Sequence, residues 1–147
     1  MTGSALDPLR GDGDLRLAVI VNPGLPPGFL ANTVATISVG IGARQPGLGR
    51  IDLVDRNGLH ISISADRPVP ILQAGPEQIR TLLTRATSQT DLDIVVFPEF
   101  ARRMNHFSEY EAAFPGRDLM QETLDGIGLC GPSKVVKSLT GSLKLLR

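Results

Sequence analysis

The chain has 147 residues, 41% of them hydrophobic, and its fifteen basic and fifteen acidic side chains leave no formal net charge. That size suits one ordinary domain with a real core, and the charge balance excludes a global field drawing the protein onto nucleic acid or an anionic membrane. Aromatic residues make up only 4%, with no Trp and a single Tyr110, so the core is expected to be aliphatic and a stacking platform for single-stranded nucleic acid is disfavoured.

Residues 1–14, MTGSALDPLRGDGD, carry neither a basic n-region nor an apolar h-region. They read as a flexible leader and not as a signal peptide, with a single domain expected over 15–147. Leu15-Arg16-Leu17-Ala18-Val19-Ile20-Val21 follows, an apolar β-branched run closed by Asn22-Pro23-Gly24, the pattern of a buried strand ending in a tight turn. Its apolar run is far short of the roughly 20 residues a membrane span needs.

Pro26 and Pro27 stand where a helix can begin, and Leu30, Val34, Ile37 and Ile41 recur at helical spacing. Ala31, Ala35 and Val39 widen that face, so the helix over 28–41 is expected to be mostly buried and to end in the glycine-rich stretch 40–49. Residues 51–54 and 59–64 alternate on either side of Asn57-Gly58, a strong hairpin signal. A short strand is expected over 69–72. Gly75-Pro76 then opens a helix with the apolar stripe Ile79, Leu82, Leu83 and Ala86.

Residues 92–97 read as a second, fully apolar strand stopped by Pro98, and 99–120 as the least regular part. A strand near 123–130 and a helix starting at Pro132 complete the pattern. Strands and helices in alternation predict an α/β layered sheet, which the hairpin makes mixed.

Gly126-Ile127-Gly128-Leu129-Cys130-Gly131 fits G-x-G-x-x-G, after a strand and before a helix. No acidic residue follows it to hold a ribose, so no dinucleotide or other cofactor is expected. A helix starting at Pro132, with Ser133 and Lys134 in its first turn, can hold a phosphate or carboxylate on its backbone N–H groups; close strand–helix packing is the alternative reason for the glycines. Over 132–147 stand Lys134, Lys137, Lys144 and Arg147 without an acid. They form either a patch for an anionic partner or a solvated face.

His60 and His106 are the only histidines and Cys130 the only cysteine. A disulfide within the chain is impossible, a cytoplasmic setting is the default expectation, and no zinc-type ligand set can be assembled. Cys130 and His106 are the one available thiol–imidazole pair, although a cysteine in an apolar strand end is commonly a small buried hydrophobe. His106 lies in the polar segment 104–110, the second choice for a functional site. Glu99 stands just beyond an expected strand, where open α/β sheets place their ligand crevice.

Gly126-Ile127-Gly128, Gly131-Pro132 and Leu139-Thr140-Gly141-Ser142-Leu143-Lys144-Leu145 together resemble the closing motif of the type II peptidyl-tRNA hydrolases: a G-I-G-x-G-P stretch, a helix and a V-T-G-H-L-K-L ending. Residues 69–99 follow the order of that family's central unit. With VNPGLPPGFLANT over 21–33 and GSLKLLR over 141–147, the chain after the leader is similar to a bacterial family of unknown function, of the domain-of-unknown-function 2000 type, related to those hydrolases. The resemblance implies a three-layer α/β/α sandwich with a small mixed sheet, peptidyl-tRNA hydrolase II-like.

The hydrolases carry a lysine and a glutamine in a G-K-x-A-A-Q motif at the start of the first helix. Residues 17–43 contain neither, and the first lysine of the chain is Lys134. The family's acid corresponds to Glu99, its following threonine falls near Arg103, and the histidine of its terminal motif is Ser142 here. The resemblance thus implies Glu99 as base or water-positioning acid, with Asn32 and Thr33 in place of a cation. Losing a charged donor costs on the order of 100-fold in rate.

The expected function is therefore binding of a small ligand or anion without the parent reaction. Its crevice is expected between residues 22–33, Glu99 and the helix start at Gly131, with Asn22, Gly28, Asn32, Thr33, Gly131, Ser133 and Lys134 as ligand-binding residues. One alternative is a divergent acyl ester hydrolase using Glu99 as catalytic residue with Asn32 or His106. Another is an interaction module docking RNA or protein through the basic segment. A homodimer is left open, nucleic acid is not favoured, and neither a membrane nor a metal is expected.

Overall fold

A computed structural model describes residues 14–147; the expected leader, apart from Asp14, lies outside the described residues. In chain order come β1 (Leu15–Val21), α1 (Pro27–Arg44), β2 (Asp52–Val54), β3 (His60–Ser62), β4 (Ile71–Gln73) and α2 (Pro76–Ala86). Then follow β5 (Asp93–Pro98), α3 (Phe107–Ala113), β6 (Leu124–Pro132), α4 (Ser133–Thr140) and β7 (Lys144–Leu145). Five strands form one mixed sheet in the order β5-β6-β1-β4-β7. β1 runs parallel to β4, while β6 runs against both β1 and β5, and β7 against β4.

The Asn-Gly turn forms as expected: Gly58 takes a positive φ of 85°, and the Asp55 carboxylate accepts the backbone N–H groups of Asn57 and Leu59 at 2.9 and 2.8 Å. However, β2 and β3 pair only with each other. The sheet is mixed because β6 and β7 run against their neighbours, not because of the hairpin as expected. Every residue of β2 and β3 is exposed, and among the described residues neither strand shares a ladder with the central sheet.

Two cores make three layers. On one face Thr33, Ile37 and Ile41 of α1 are buried, and Ile37 and Ile41 cluster with Leu15, Leu17, Val19, Leu48 and Cys130. On the other, Ile79, Leu82, Leu83 and Ala86 of α2 join Val136 and Leu139 of α4 over Ala18, Ile20, Ile127 and Leu129. β1 and β6 are thus covered on both faces, which is why their sequences read as near-continuous apolar runs. By contrast β5, expected to be fully buried, is an edge strand and mostly half-buried.

Two expectations for α1 need correction. It runs through Gly40 and Gly42 to Arg44, because a helical glycine costs only about 1 kcal/mol and burial of Ile41 beyond Gly40 outweighs that. The buried stripe is also narrower than the sequence suggests, since Ala31, Ala35 and Val39 face outward, Val39 at 72% exposure.

The G-x-G-x-x-G stretch is not a phosphate loop. Its glycines lie inside β6, and a Cβ on Gly126 would come 2.8 Å from Thr33 Cγ2 and 2.9 Å from the Ile20 carbonyl oxygen. Glycine at 126 and 128 lets α1 lie directly on the strand.

Candidate functional site

The carboxyl ends of the parallel strands β1, β4 and β5 share one edge of the sheet, and the start of the antiparallel β6 joins them there. From this edge α1 leads away behind Pro26 and Pro27, whose missing N–H groups suit a helix's first turn. No side chain caps that end.

A bulge decides the chemistry of this edge. β5 pairs Phe97 with Gly126 but Pro98 with Leu124, so Asp125 is the extra residue. Leu124 consequently shares a core with Ile127 and Leu129 on the α2–α4 side. Strict alternation would have put Asp125 there, and the bulge re-aims it. Its carboxylate, 1% exposed, meets Arg102 in a two-pronged ion pair: Nε donates to Oδ2 at 2.5 Å and Nη2 to Oδ1 at 2.6 Å.

Arg102 arrives from a 3-10 turn, Glu99–Arg103, immediately after β5. The Glu99 N–H donates to the Thr123 carbonyl at 2.8 Å, which ties the turn to the start of β6. Phe100 in the same turn packs against Tyr110 and Phe114 at 5.8 and 6.4 Å between ring centroids, with Arg117 lying 4.3 Å over its ring. The hydrogen bond to Asp125 raises the Arg102 pKa further; partial desolvation opposes it, and the charges of Asp125 and Glu99 add to the stabilisation of the cation.

Arg102 also lies 5.4 Å over the Phe29 ring at the start of α1. Together with Pro26, Gly28, Asn32, Thr33 and Phe97 it lines a cleft of about 390 Å³. The walls are mostly apolar. Polar groups there are the guanidinium, whose Nη1 is not used by Asp125, and the Asn32 side-chain amide. The expectation that no cation stands near the first helix is therefore overturned: position 102, and not α1 itself, supplies it.

Of the sequence-derived ligand-binding residues, Gly28, Asn32 and Thr33 line this cleft. Thr33 is 1% exposed, and its hydroxyl donates to the Phe29 carbonyl at 2.8 Å, so it shapes the wall and α1. Asn22 is beside the site, its N–H donating to the Asp125 carbonyl at 3.0 Å, but its side-chain oxygen accepts the Gly24 N–H within the turn. Glu99 is exposed and lines an adjoining groove of about 430 Å³ with Arg102, Arg103 and Arg117.

Gly131, Ser133 and Lys134 are not part of this arrangement. Gly131 pairs with Arg16 and Pro132 with Leu15, whereas Gly126 pairs with Val21. The helix start after Pro132 thus sits at the opposite end of β1, about 20 Å away at the rise of a strand. The basic segment is likewise spread out: Lys134 begins α4 at that far end, while Lys144 pairs with Gln73 near the candidate site. His106 is an exposed residue at the start of α3 and lines neither the cleft nor the groove.

Cys130 faces the α1 core at 1% exposure. Burial first, then the charge of Asp93, pushes its thiol up to about 12, so it stays protonated within the α1-side core, whereas His106 is exposed at the start of α3. Native protein at pH 8 is expected to leave Cys130 unmodified by a thiol reagent that reacts fully after denaturation; rapid native reaction would contradict this burial. The sign for stability follows. The unfolded thiol ionises near pH 9 and the folded one near 12, so stability declines as pH rises across that window.

Asp125 and Arg102 were missed from sequence. The available signal was a lone carboxylate within the apolar run 124–130, since a buried charge requires a partner.

Among the described residues, no helix is long and apolar enough to cross a membrane, and no three His, Cys, Asp or Glu side chains gather as metal ligands. A family model described as "Protein of unknown function (DUF2000)" matches residues 15–147. A solved structure, the protein of unknown function Atu0240 from Agrobacterium tumefaciens strain C58, is similar with a TM-score of 0.83 at 20% identity, over 90% of this chain and 97% of that one. At that identity the likeness concerns the fold. None of the curated proteins matches the chain.

Proposed function

The chain belongs to the DUF2000 family, and from that premise we propose that it binds a small molecule with an apolar body and an acceptor oxygen, a carboxylate or a carbonyl, in the cleft at the start of α1. One observation carries this reading: a guanidinium fixed by a buried carboxylate opens onto an otherwise mostly apolar cleft. Such a cleft gives affinity through its walls and orientation through few polar groups. Phe29 and Phe97 receive the apolar body, while Arg102 Nη1 and the Asn32 amide receive the oxygen. The residues lining the cleft include no carboxylate, imidazole or thiol that could act as a general base.

A second reading rests on Glu99. Its charge acts on Arg102 and both line the adjoining groove, which places an acid beside a cation as a divergent peptidyl-tRNA hydrolase-like esterase would use them. The resemblance to the type II hydrolases over residues 126–145 supports it.

Thermal unfolding with a panel of aromatic and aliphatic carboxylates, each beside its alcohol, separates the two. A ligand at about ten times its Kd adds about 1.4 kcal/mol, a rise of about 4 °C for a domain of this size. The rise is expected for a carboxylate, not for its alcohol, and is expected to shrink in Phe29→Ala and Asn32→Ala. No shift across the panel would count against the binding reading, and Glu99-dependent release of peptide from peptidyl-tRNA, lost in Glu99→Gln, would establish the second.

A further inference from the structure

The cleft at the start of α1 does not end at Arg102. That side chain lines both the cleft and the adjoining groove of about 430 Å³, so the two meet there. The charged residues of the groove are Arg102, Arg103, Arg117, Glu99 and Glu122. Arg102 is balanced by Asp125, and Arg117 faces Glu122 at 3.4 Å. Among the described residues, the Glu99 carboxylate and the Arg103 guanidinium have no ion-pair or hydrogen-bond partner. They stand at the two ends of one 3-10 turn, whose first residue is held by the Thr123 carbonyl.

We propose that the ligand is a free α-amino acid with an apolar side chain: its carboxylate meets Arg102, its ammonium meets Glu99, and its side chain enters the cleft against Phe29 and Phe97. This inference rests on the binding reading given above and adds the ligand's class to it.

Charge selects that class. A simple carboxylate is attracted by Arg102 and Arg103, but the unpaired Glu99 beside them opposes it; a simple amine meets the reverse. Like charges brought together count against a ligand as much as opposite ones count for it. Around the junction three arginines stand with three acids, Glu99, Glu122 and Asp125, so the site has no net charge and both signs are on offer. A zwitterion has the same balance. The Arg102 charge is already matched by Asp125, and Arg103 supplies the further positive charge that an incoming carboxylate needs. The Glu99 charge reaches Arg102, which puts the acid close enough for one small molecule to touch both. The apolar walls of the cleft then favour an aliphatic or aromatic side chain over a polar one.

Calorimetric titration of the full chain tests this with phenylalanine and leucine, their deamino counterparts 3-phenylpropionate and 4-methylpentanoate, and the N-acetyl form of each amino acid. At least one amino acid is expected to bind about fivefold tighter than its deamino counterpart, the upper end for an ion pair made in contact with solvent. N-acetylation, which removes the ammonium charge, is expected to abolish that gain. Glu99→Gln changes an exposed residue outside both cores, and it is expected to keep the deamino affinities while losing the gain. The proposal is overturned if neither amino acid binds tighter than its deamino counterpart, if the N-acetyl form binds as tightly as the free amino acid, or if the gain survives in Glu99→Gln. In each of these cases binding of the deamino acids leaves the cleft reading standing, whereas a full set of probes that do not bind overturns both.

Discussion

Arg102→Ala is expected to cost the fold about 3 kcal/mol, because it leaves the Asp125 carboxylate, 1% exposed, with no cation to balance it. For a domain of this size that corresponds to a fall in Tm of about 9 °C. The two partners are not equivalent. Asp125→Ala removes the deeper charge and leaves Arg102, 24% exposed, free to turn towards solvent, so its loss is expected to be nearer to 1–2 kcal/mol. Changing both residues together is expected to recover part of what Arg102→Ala loses, a coupling that a double-mutant cycle measures. A melting curve for Arg102→Ala within about 2 °C of wild type would mean that this ion pair does not exist in solution.

Ligand binding is expected to fail in the same variant even where the fold is held below its melting temperature. The cleft then has lost its guanidinium, while Asn32 and Phe29 remain. Loss of stability without loss of binding would place the ligand elsewhere.

The second large effect lies beneath α1. A Cβ on Gly128 would overlap Ile37 and come 2.8 Å from Ile41 Cδ1, whereas one on Gly126 meets the Ile20 carbonyl at 2.9 Å as well as Thr33. Overpacking of this kind costs about 1–3 kcal/mol, but the two sites differ in what can yield. At Gly128 the obstacles are side-chain atoms, nearest of all the Ile37 Cγ2 methyl, so Gly128→Ala is expected to be partly rescued by Ile37→Leu, which keeps the volume but lacks that branch. At Gly126 one obstacle is backbone, so Gly126→Ala is expected to cost about 3 kcal/mol and to resist rescue. Because Thr33 also lines the cleft, lifting α1 at Gly126 is expected to weaken ligand binding together with stability. Chemical denaturation of the four variants measures this, and a neutral Gly126→Ala would show that α1 does not sit where the packing places it.

Much of the fold was legible because its signals are local. The apolar run at 15–21, the Asn57-Gly58 turn, the Gly75-Pro76 helix start and the stripe Ile79, Leu82, Leu83 and Ala86 each occupy one stretch of chain, and each appears where its pattern stands. Reading failed where neighbours across the sheet decide. Val39 belongs to the helical period, but α1 is covered on one side only, and that residue faces out. The segment 92–97 is as apolar as β1, but edge position and not composition determines how much of a strand is buried.

The candidate site divides the same way. Gly28, Asn32 and Thr33, expected around the start of the first helix and, for Asn32 and Thr33, from the resemblance, line the cleft, and Glu99, which follows β5, lines the adjoining groove; a helix start or a strand end is a local inference. The direction of β6 could not be read. Running against β1, it carries Gly131, Ser133 and Lys134 to the far end of the sheet and brings Asp125 to the near end. Strand order and direction are properties of residue pairs far apart in sequence, and a bulge is one residue's departure from a pairing that only the partner strand defines.

By itself, then, the amino-acid order determined most of the helices and strands, though not α3 or β7, together with the aliphatic core and the absence of a net field, since propensity, periodicity and charge are carried by each segment alone. Only the folded arrangement decided that residue 102 meets residue 125 across 22 intervening positions. A buried carboxylate cannot stay unpaired, but which cation reaches it depends on the geometry that the sheet edge imposes.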